Sequence, residues 1–278
     1  MDMTNILSAP RGSWRVKRPH SPPPFGDYSV IHPIPPTRFF DQLSFIGDSD
    51  VGSFILETGD GLAMIDCGWS SDERVRMIES GIRELGLHCE DLKVVIITHG
   101  HGDHWGRADY FREKYGAVIY MSRRDYEHAR DPIASPRRQI HFEVYDFLGD
   151  GDELRIGDVS LTVVSTPGHT PGCLSLIIPV TDEGRLHHAA LWGGTGISAQ
   201  APADRKQAYL DSLYHFREVC REKHVDVEIS AHPFVYNTEL KLQLCREIVD
   251  GVANPFVIGE EAYSRYEDMF IDLVKSKM

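Results

Sequence analysis

Paired cysteines are the first thing missing from this sequence. Its 278 residues carry five (Cys67, Cys89, Cys173, Cys220 and Cys245), an odd number, widely spread and with no C-x-x-C pair. That spacing argues against a disulfide framework or a zinc ribbon and fits reduced thiols in a core. Positive charge is also short, 29 Lys and Arg against 42 Asp and Glu, for a formal net charge of -13. Binding a nucleic-acid backbone needs a clustered basic surface, so no nucleic-acid partner is expected. The same balance speaks, more weakly, against an anionic membrane surface. No apolar run approaches the length of a membrane span. After Arg11, Arg15, Lys17 and Arg18 comes Ser21-Pro22-Pro23-Pro24, which cannot be the apolar core of a signal peptide. A cytoplasmic protein is therefore expected.

What is present divides in two. Residues 1–38 are rich in proline and irregular, and read as an arm. The arm contains Trp14, Phe25 and Tyr28, so it could pack over the body or join two copies into a homodimer; a disordered tail is the equal alternative. Residues 39–278 read as a single domain. Leu43-Ser44-Phe45-Ile46, Gly52–Leu56 and Leu62–Ile65 are short strands separated by Gly/Asp turns. Ser71 or Asp72 then caps a helix bearing Val75, Ile78, Ile82 and Leu85 on one face. A strand at 93–97, a helix ending at Gly116, a strand at 117–120 and a helix at 123–130 follow. Residues 131–150 read as a loop. Strands at 159–164, 173–178 and 188–192, a long amphipathic helix at 203–220, a strand at 225–229 and helices near 238–250 and 260–276 complete the chain. Strands followed by helices, twice over, predict an α/β protein built as a four-layer αβ/βα sandwich.

The chemistry is concentrated in Thr98-His99-Gly100-His101-Gly102-Asp103-His104-Trp105-Gly106. This H-x-H-x-D-H spacing follows the apolar run Val94–Ile97, so it is a loop at the end of a buried strand. Imidazole nitrogens and carboxylate oxygens are zinc ligands. In this alternation His99 and His101 can reach one ion while Asp103 and His104 turn towards a second. Downstream, Thr166-Pro167-Gly168-His169-Thr170-Pro171-Gly172 lies between two strands, its glycines and prolines fixing a turn that presents His169. His232, in Ser230-Ala231-His232-Pro233, also ends a strand. Asp66, before Cys67-Gly68, is a candidate carboxylate behind the ligands, holding one of the histidines in place.

Asp66-Cys67-Gly68, the histidine loop, Pro167-Gly168-His169-Thr170 and the late His232 resemble, in order, the motifs of the metallo-β-lactamase superfamily. The resemblance covers roughly residues 40 to 250 and implies the αβ/βα sandwich with a metal site at the shared edge of the sheets. Most hydrolytic members carry a bridging aspartate in a G-D pattern after the strand that here ends in Leu191-Trp192. This chain has Gly193-Gly194-Thr195-Gly196 there. That departure argues against the glyoxalase II-like thioesterases, most lactonases and the persulfide dioxygenases. It is similar instead to the third (B3) subclass of metallo-β-lactamases, as are Val51–Ile55 and His232-Pro233. By that similarity His99, His101 and His169 would hold a first zinc ion, and Asp103, His104 and His232 a second.

The implied activity is hydrolysis of a small electrophilic substrate by a zinc-bound hydroxide, since zinc lowers the pKa of its water from 15.7 to about 7. Asp103 would be the catalytic carboxylate, orienting that hydroxide. Thr195 and Ser198 could hydrogen-bond a polar substrate group, and Trp105, Trp192, Phe234 and Tyr236 could line an aromatic-friendly pocket. β-Lactams, lactones, esters and activated aryl halides are the substrates such a centre attacks. A mononuclear iron oxidoreductase of the same fold is the alternative outside hydrolysis. A metal-dependent nuclease shares the histidine motif, but the acidic balance counts against it.

Overall fold

A strand that is apolar on both faces must be covered twice, and that requirement builds this fold. The computed structural model describes residues 31–135, 139–247 and 252–278. Its first sheet has seven strands in sequence order, β1 (Pro33–Phe40), β2 (Leu43–Asp48), β3 (Gly52–Thr58), β4 (Gly61–Ile65), β5 (Leu92–Ile96), β6 (Val118–Met121) and β7 (Asp146–Phe147). Strands β1 to β4 form an antiparallel meander, and β4 to β7 run parallel. The second sheet contains β8 (Glu153–Ile156), β9 (Val159–Ser165), β10 (Leu174–Asp182), β11 (Arg185–Leu191) and β12 (Val227–Ile229), in the order β12-β11-β10-β9-β8. All its pairs are antiparallel except β11 with β12.

Four helices accompany the first sheet: α1 (Asp72–Glu84), α2 (Gly102–Trp105), α3 (Ala108–Tyr115) and α4 (Arg123–Arg130). The second half supplies α5 (Ala203–Glu222), α6 (Thr238–Glu247) and α7 (Glu260–Lys275). Ser71 and Ser122 cap α1 and α4, each accepting from a backbone N–H of the first turn. Along β4 and β5, Ala63, Ile65, Val94 and Ile96 meet Leu161, Val163, Leu174 and Leu176 of the other sheet. Their neighbours Leu62, Met64, Val95 and Ile97 turn the other way, onto Val75, Ile78 and Ile82 of α1 and Phe111 of α3. Side chains alternate faces along a strand, so the unbroken run Val94–Ile97 is the mark of double burial. On the far side, Ile177 and Ala190 face Tyr209, Leu213 and Phe216 of α5. Helices, sheet, sheet, helices: the expected αβ/βα sandwich is what forms. Among the described residues no helix is long and apolar enough to cross a membrane.

Two expectations need correction. Strand β1 starts at Pro33, inside the segment expected to be an arm. It is an edge strand, so prolines 33, 35 and 36 need not donate on its open side, and its register slips between Ile34 and Thr37 around the Pro-Pro pair. The rest of the arm, with Trp14, Phe25, Tyr28 and the expected pairing of two copies, lies outside the described residues. The 131–150 loop contains the two-residue β7, and β8 follows it unforeseen. Each is too short to leave a periodic signal.

The topology also fixes where chemistry can occur. Strands β4, β5 and β6 are parallel, so their C-terminal ends share one edge. In the second sheet β9 and β11 both run antiparallel to β10, and β12 runs with β11, so these three also end together. Backbone bonds from Leu174 N to Thr98 O and from Gly52 N to Ala231 O, each 2.8 Å, join the two sheets at that edge.

Candidate metal centre

Asp66 follows β4, His99 follows β5, His169 follows β9 and His232 follows β12, and all four reach the shared edge. Asp66 is wholly buried with φ of 59°, a left-handed conformation that an aspartate tolerates better than most side chains. Its carboxylate accepts from Thr98 N (2.8 Å), from Thr98 Oγ1 (3.0 and 2.8 Å) and from His104 Nδ1 (2.7 Å). A hydroxyl has one proton, and Thr98 gives its proton to Asp66. The 3.1 Å contact between Thr98 Oγ1 and His99 Nδ1 must therefore have the imidazole as donor. The proton of His99 is thus on Nδ1, and its Nε2 is buried without a hydrogen-bond partner among the described residues.

The same device recurs. His169 Nδ1 donates to Gly196 O (2.7 Å), His232 Nδ1 to Asp50 O (2.8 Å) and His104 Nδ1 to Asp66. Four imidazoles are thereby oriented with Nε2 facing inward. The fifth, His101, brings Nδ1 to 3.0 Å from His169 Nε2. His104 Nε2 lies 3.3 Å from His232 Nε2 and 3.5 Å from Asp103 Oδ2, which is 3.9 Å from His232 Nε2. Ligand atoms within 4.8 Å of one another form two sets, His99-His101-His169 and Asp103-His104-His232. Each of these contacts needs a proton or a metal cation between its two donor atoms, since two bare lone pairs at about 3 Å repel. Nitrogen and carboxylate donors in this arrangement fit zinc.

Charge tells the same story. Burial, and then the neighbouring imidazoles, hold His99 well below its ordinary pKa and push His169 down to about 3. His101 and His232 are also lowered, chiefly by burial. These groups are neutral at pH 7, as metal ligands must be. His104 is the exception: burial works against its charge, but Asp66 and Asp103 hold it up at about 10. Burial likewise opposes the charge of Asp103, which His104 nevertheless holds far below the usual carboxylate range. The two carboxylates thus require one positive charge at His104, which either a proton or a metal ion can provide. Cys67 and Cys173 are pushed well above the ordinary thiol pKa by burial, which makes them inert thiols rather than nucleophiles.

The expected pocket residues fare unevenly. Trp105 is a core residue, its indole N–H on Gly100 O and its ring against Phe142. Trp192 is likewise core, bonded to Gly194 O and Tyr209 OH and packed among α5 side chains. Tyr236 bonds Tyr266 OH and faces that aromatic cluster rather than the histidines. Being next to a ligand in sequence does not place a ring beside it in space. Ser198 is exposed and bonds Gln200 of its own loop. Thr195 is half-buried in the glycine turn beside His169, and Phe234 lies with its ring 5.2 Å from that of His232.

Two features went unread in the sequence. Asp125, wholly buried at the start of α4, accepts from Gly100 N (2.8 Å), Gly172 N (2.6 Å) and Thr170 Oγ1 (2.5 Å). One carboxylate thereby ties the histidine loop to the His169 turn. Ser122-x-x-Asp125 signals only a helix start, with no hint of that clamp. The second feature is why no aspartate stands after β11. A Cβ on Gly193 would lie 1.8 Å from Leu174 O, and one on Gly194 would lie 2.4 Å from His169 Cβ. The backbone packs straight onto the ligand turn, and no side chain fits between.

The αβ/βα sandwich thus brings two sets of side chains that could hold metal ions to one shared edge. The family model of the metallo-beta-lactamase superfamily matches residues 46–182, so this part of the chain is similar to that superfamily. It is 29% identical over 154 residues to the hydroxyacylglutathione hydrolase GloC of Haemophilus influenzae, covering 53% of this chain and 65% of that one, just under two thirds of the relative's length. It is similar in structure to the native FEZ-1 metallo-beta-lactamase from Legionella gormanii, with a TM-score of 0.76 and 23% identity over 90% of this chain and 98% of that one. BJP-1, a subclass B3 metallo-beta-lactamase of Bradyrhizobium japonicum, gives a TM-score of 0.72 and 24% identity over 88% and 95%. At these identities the likeness establishes the fold.

Proposed function

We propose that this chain is a zinc-dependent hydrolase of a small electrophilic organic substrate, with His99, His101 and His169 as one ligand set and Asp103, His104 and His232 as the other. The observation that carries the reading is the set of imidazoles whose outer nitrogens are pinned by protein acceptors while the inner ones converge. Bound there, zinc would supply Lewis acidity and a water with its pKa brought to about 7. Asp103 Oδ2, within 3.5 Å of His104 Nε2 and 3.9 Å of His232 Nε2, would accept a proton from an attacking water and orient it. Asp66 holds the tautomers of His99, through Thr98, and of His104. Thr195 and Phe234 are the remaining candidates for substrate contact. All five cysteines are free, which supports a reducing, cytosolic setting over that of a secreted antibiotic-resistance enzyme.

Likeness to FEZ-1 and BJP-1 favours β-lactams as the second reading. Likeness to GloC would suggest a thioester, but the closed backbone at Gly193-Gly194 leaves no room for the carboxylate that such enzymes carry. Metal analysis of the purified protein comes first, followed by a chromogenic cephalosporin, lactones, esters and halogenated aromatics, each with a chelator-treated control. Two zinc ions and chelator-sensitive turnover of any of these supports the proposal and names the substrate class. A single iron would support the oxidoreductase alternative. Two zinc ions with no turnover across the panel would sink the hydrolase reading.

A further inference from the structure

Beside the first ligand set lies a cavity of about 500 Å³ with His101 and His169 on its lip. That volume suits a small organic ligand. Its charged walls are Arg124 and His128 from α4 and Asp204 and Arg205 from α5; the rest is small or apolar apart from Thr170. Arg124 and His128 stand four residues apart on one helix face. The other arginines of α4 are engaged elsewhere, Arg123 over the Phe147 ring and Arg130 on Tyr126 OH. Arg124 is exposed and has no carboxylate partner among the described residues.

Arg205 is odder still. It sits in the first turn of α5, where the helix dipole disfavours a cation. It is nevertheless braced, Nε donating to Gly168 O (2.6 Å) and Nη2 to His169 O. The guanidinium is thus fixed against the ligand turn with Nη1 left over. Asp204, the one lining carboxylate, accepts from the Arg205 backbone N–H instead. In a chain of net charge -13, two arginines without a carboxylate partner among the described residues line one cavity beside His101 and His169.

We propose that this cavity takes the carboxylate of a monoanionic substrate, held by Arg124 and the free edge of Arg205, while the reacting group lies at the His101–His169 lip. Planar guanidinium groups match carboxylate geometry, and charge-assisted bonds of this kind are the strong ones. The assignment deepens the hydrolase reading and rests on it for the word substrate.

The test uses the full chain and two matched probes, 3-mercaptopropionate and its neutral amide, whose thiols can anchor at the loaded centre. Calorimetry on zinc-loaded protein should show the acid binding about 10-fold or more tightly than the amide. Arg124→Ala should remove most of that difference, and Arg205→Lys part of it. Equal binding of acid and amide, or a difference untouched in both variants, would overturn the proposal. Methylphosphonate outcompeting propionate in the cavity would also overturn it, in favour of a phosphate ester. A second readout needs no metal: propionate, but not propionamide, should shift the Arg124 and Arg205 side-chain N–H signals of the metal-free chain. If the chain takes up no zinc the hydrolase reading fails, and this second readout still decides the cavity.

Discussion

Replacing Asp66 by Asn changes one oxygen for an amide nitrogen and nothing in volume, yet the hydrogen bonds around it cannot all survive. Thr98 N, Thr98 Oγ1 and His104 Nδ1 all give protons to this carboxylate. An asparagine offers one oxygen and one N–H₂ group. With the oxygen kept on Thr98 N, the amide nitrogen meets His104 Nδ1–H, donor against donor, where both residues are 1% exposed. His104 can escape only by moving its proton to Nε2, the atom needed at the metal. A buried donor left unpaired costs about 1–3 kcal/mol. Loss of such a partner behind a ligand weakens metal affinity about 10–100-fold. Competition with a chromogenic chelator, on protein shown by circular dichroism to be folded, would measure both ions. The ion on Asp103, His104 and His232 should weaken by that factor, and the other by less, since His99 feels Asp66 only through Thr98. Unchanged affinity for both ions would refute the argument. So would a loss confined to the set containing His101 and His169.

Other outcomes follow from single contacts. Asp125→Ala leaves two buried N–H groups and a hydroxyl unpaired, and should cost about 3 kcal/mol or more in urea denaturation while loosening the His99-His101-His169 set. Gly194→Ala drives a Cβ to within 2.4 Å of His169 Cβ, and should lower the zinc retained per chain after dialysis. Glu267, buried with both carboxylate oxygens unpartnered, is held by burial from an ordinary 4.5 up to about 8, against the pull of Arg217. Because the folded chain binds that proton more tightly than the unfolded one, its contribution is full below about pH 4.5 and lost as pH rises through 8. Glu267→Gln should therefore be more stable than the native chain above pH 8, by up to about 4 kcal/mol, with the gain vanishing near pH 4. Denaturation at pH 5, 7 and 9 checks the sign.

The clustering of His99, His101, Asp103, His104, His169 and His232 was legible because each stands in a short motif at a strand end, where residue type and spacing bring donors together. The sandwich was legible because β4, β5 and β10 are written as apolar runs that two faces must cover, and β9 as an alternating strand. What fixes the tautomers was not, since Asp50 and Gly196 contribute carbonyl oxygens that any residue would offer. Asp125 was hidden for a related reason: its partners are backbone N–H groups far away in sequence. Trp105 misled because it follows His104 on the short α2 yet turns into the core, and Trp192 and Tyr236 because they turn to the aromatic cluster against α5 and α7. In β1 the prolines suggested an arm, and only the free edge of the sheet explains why they are tolerated in a strand.

The arrangement of donors along the chain also sets an order in time. As the chain leaves the ribosome, His99 and His101 emerge first and His169 follows with β9, whereas His232 arrives only after β12. The His99-His101-His169 set is thus complete while more than 60 residues are still to come, and the other set must wait for the last strand to dock. If the two sets hold metal as proposed, maturation of the centre would be stepwise: an ion captured early would hold the two halves together while the second set awaits its final ligand.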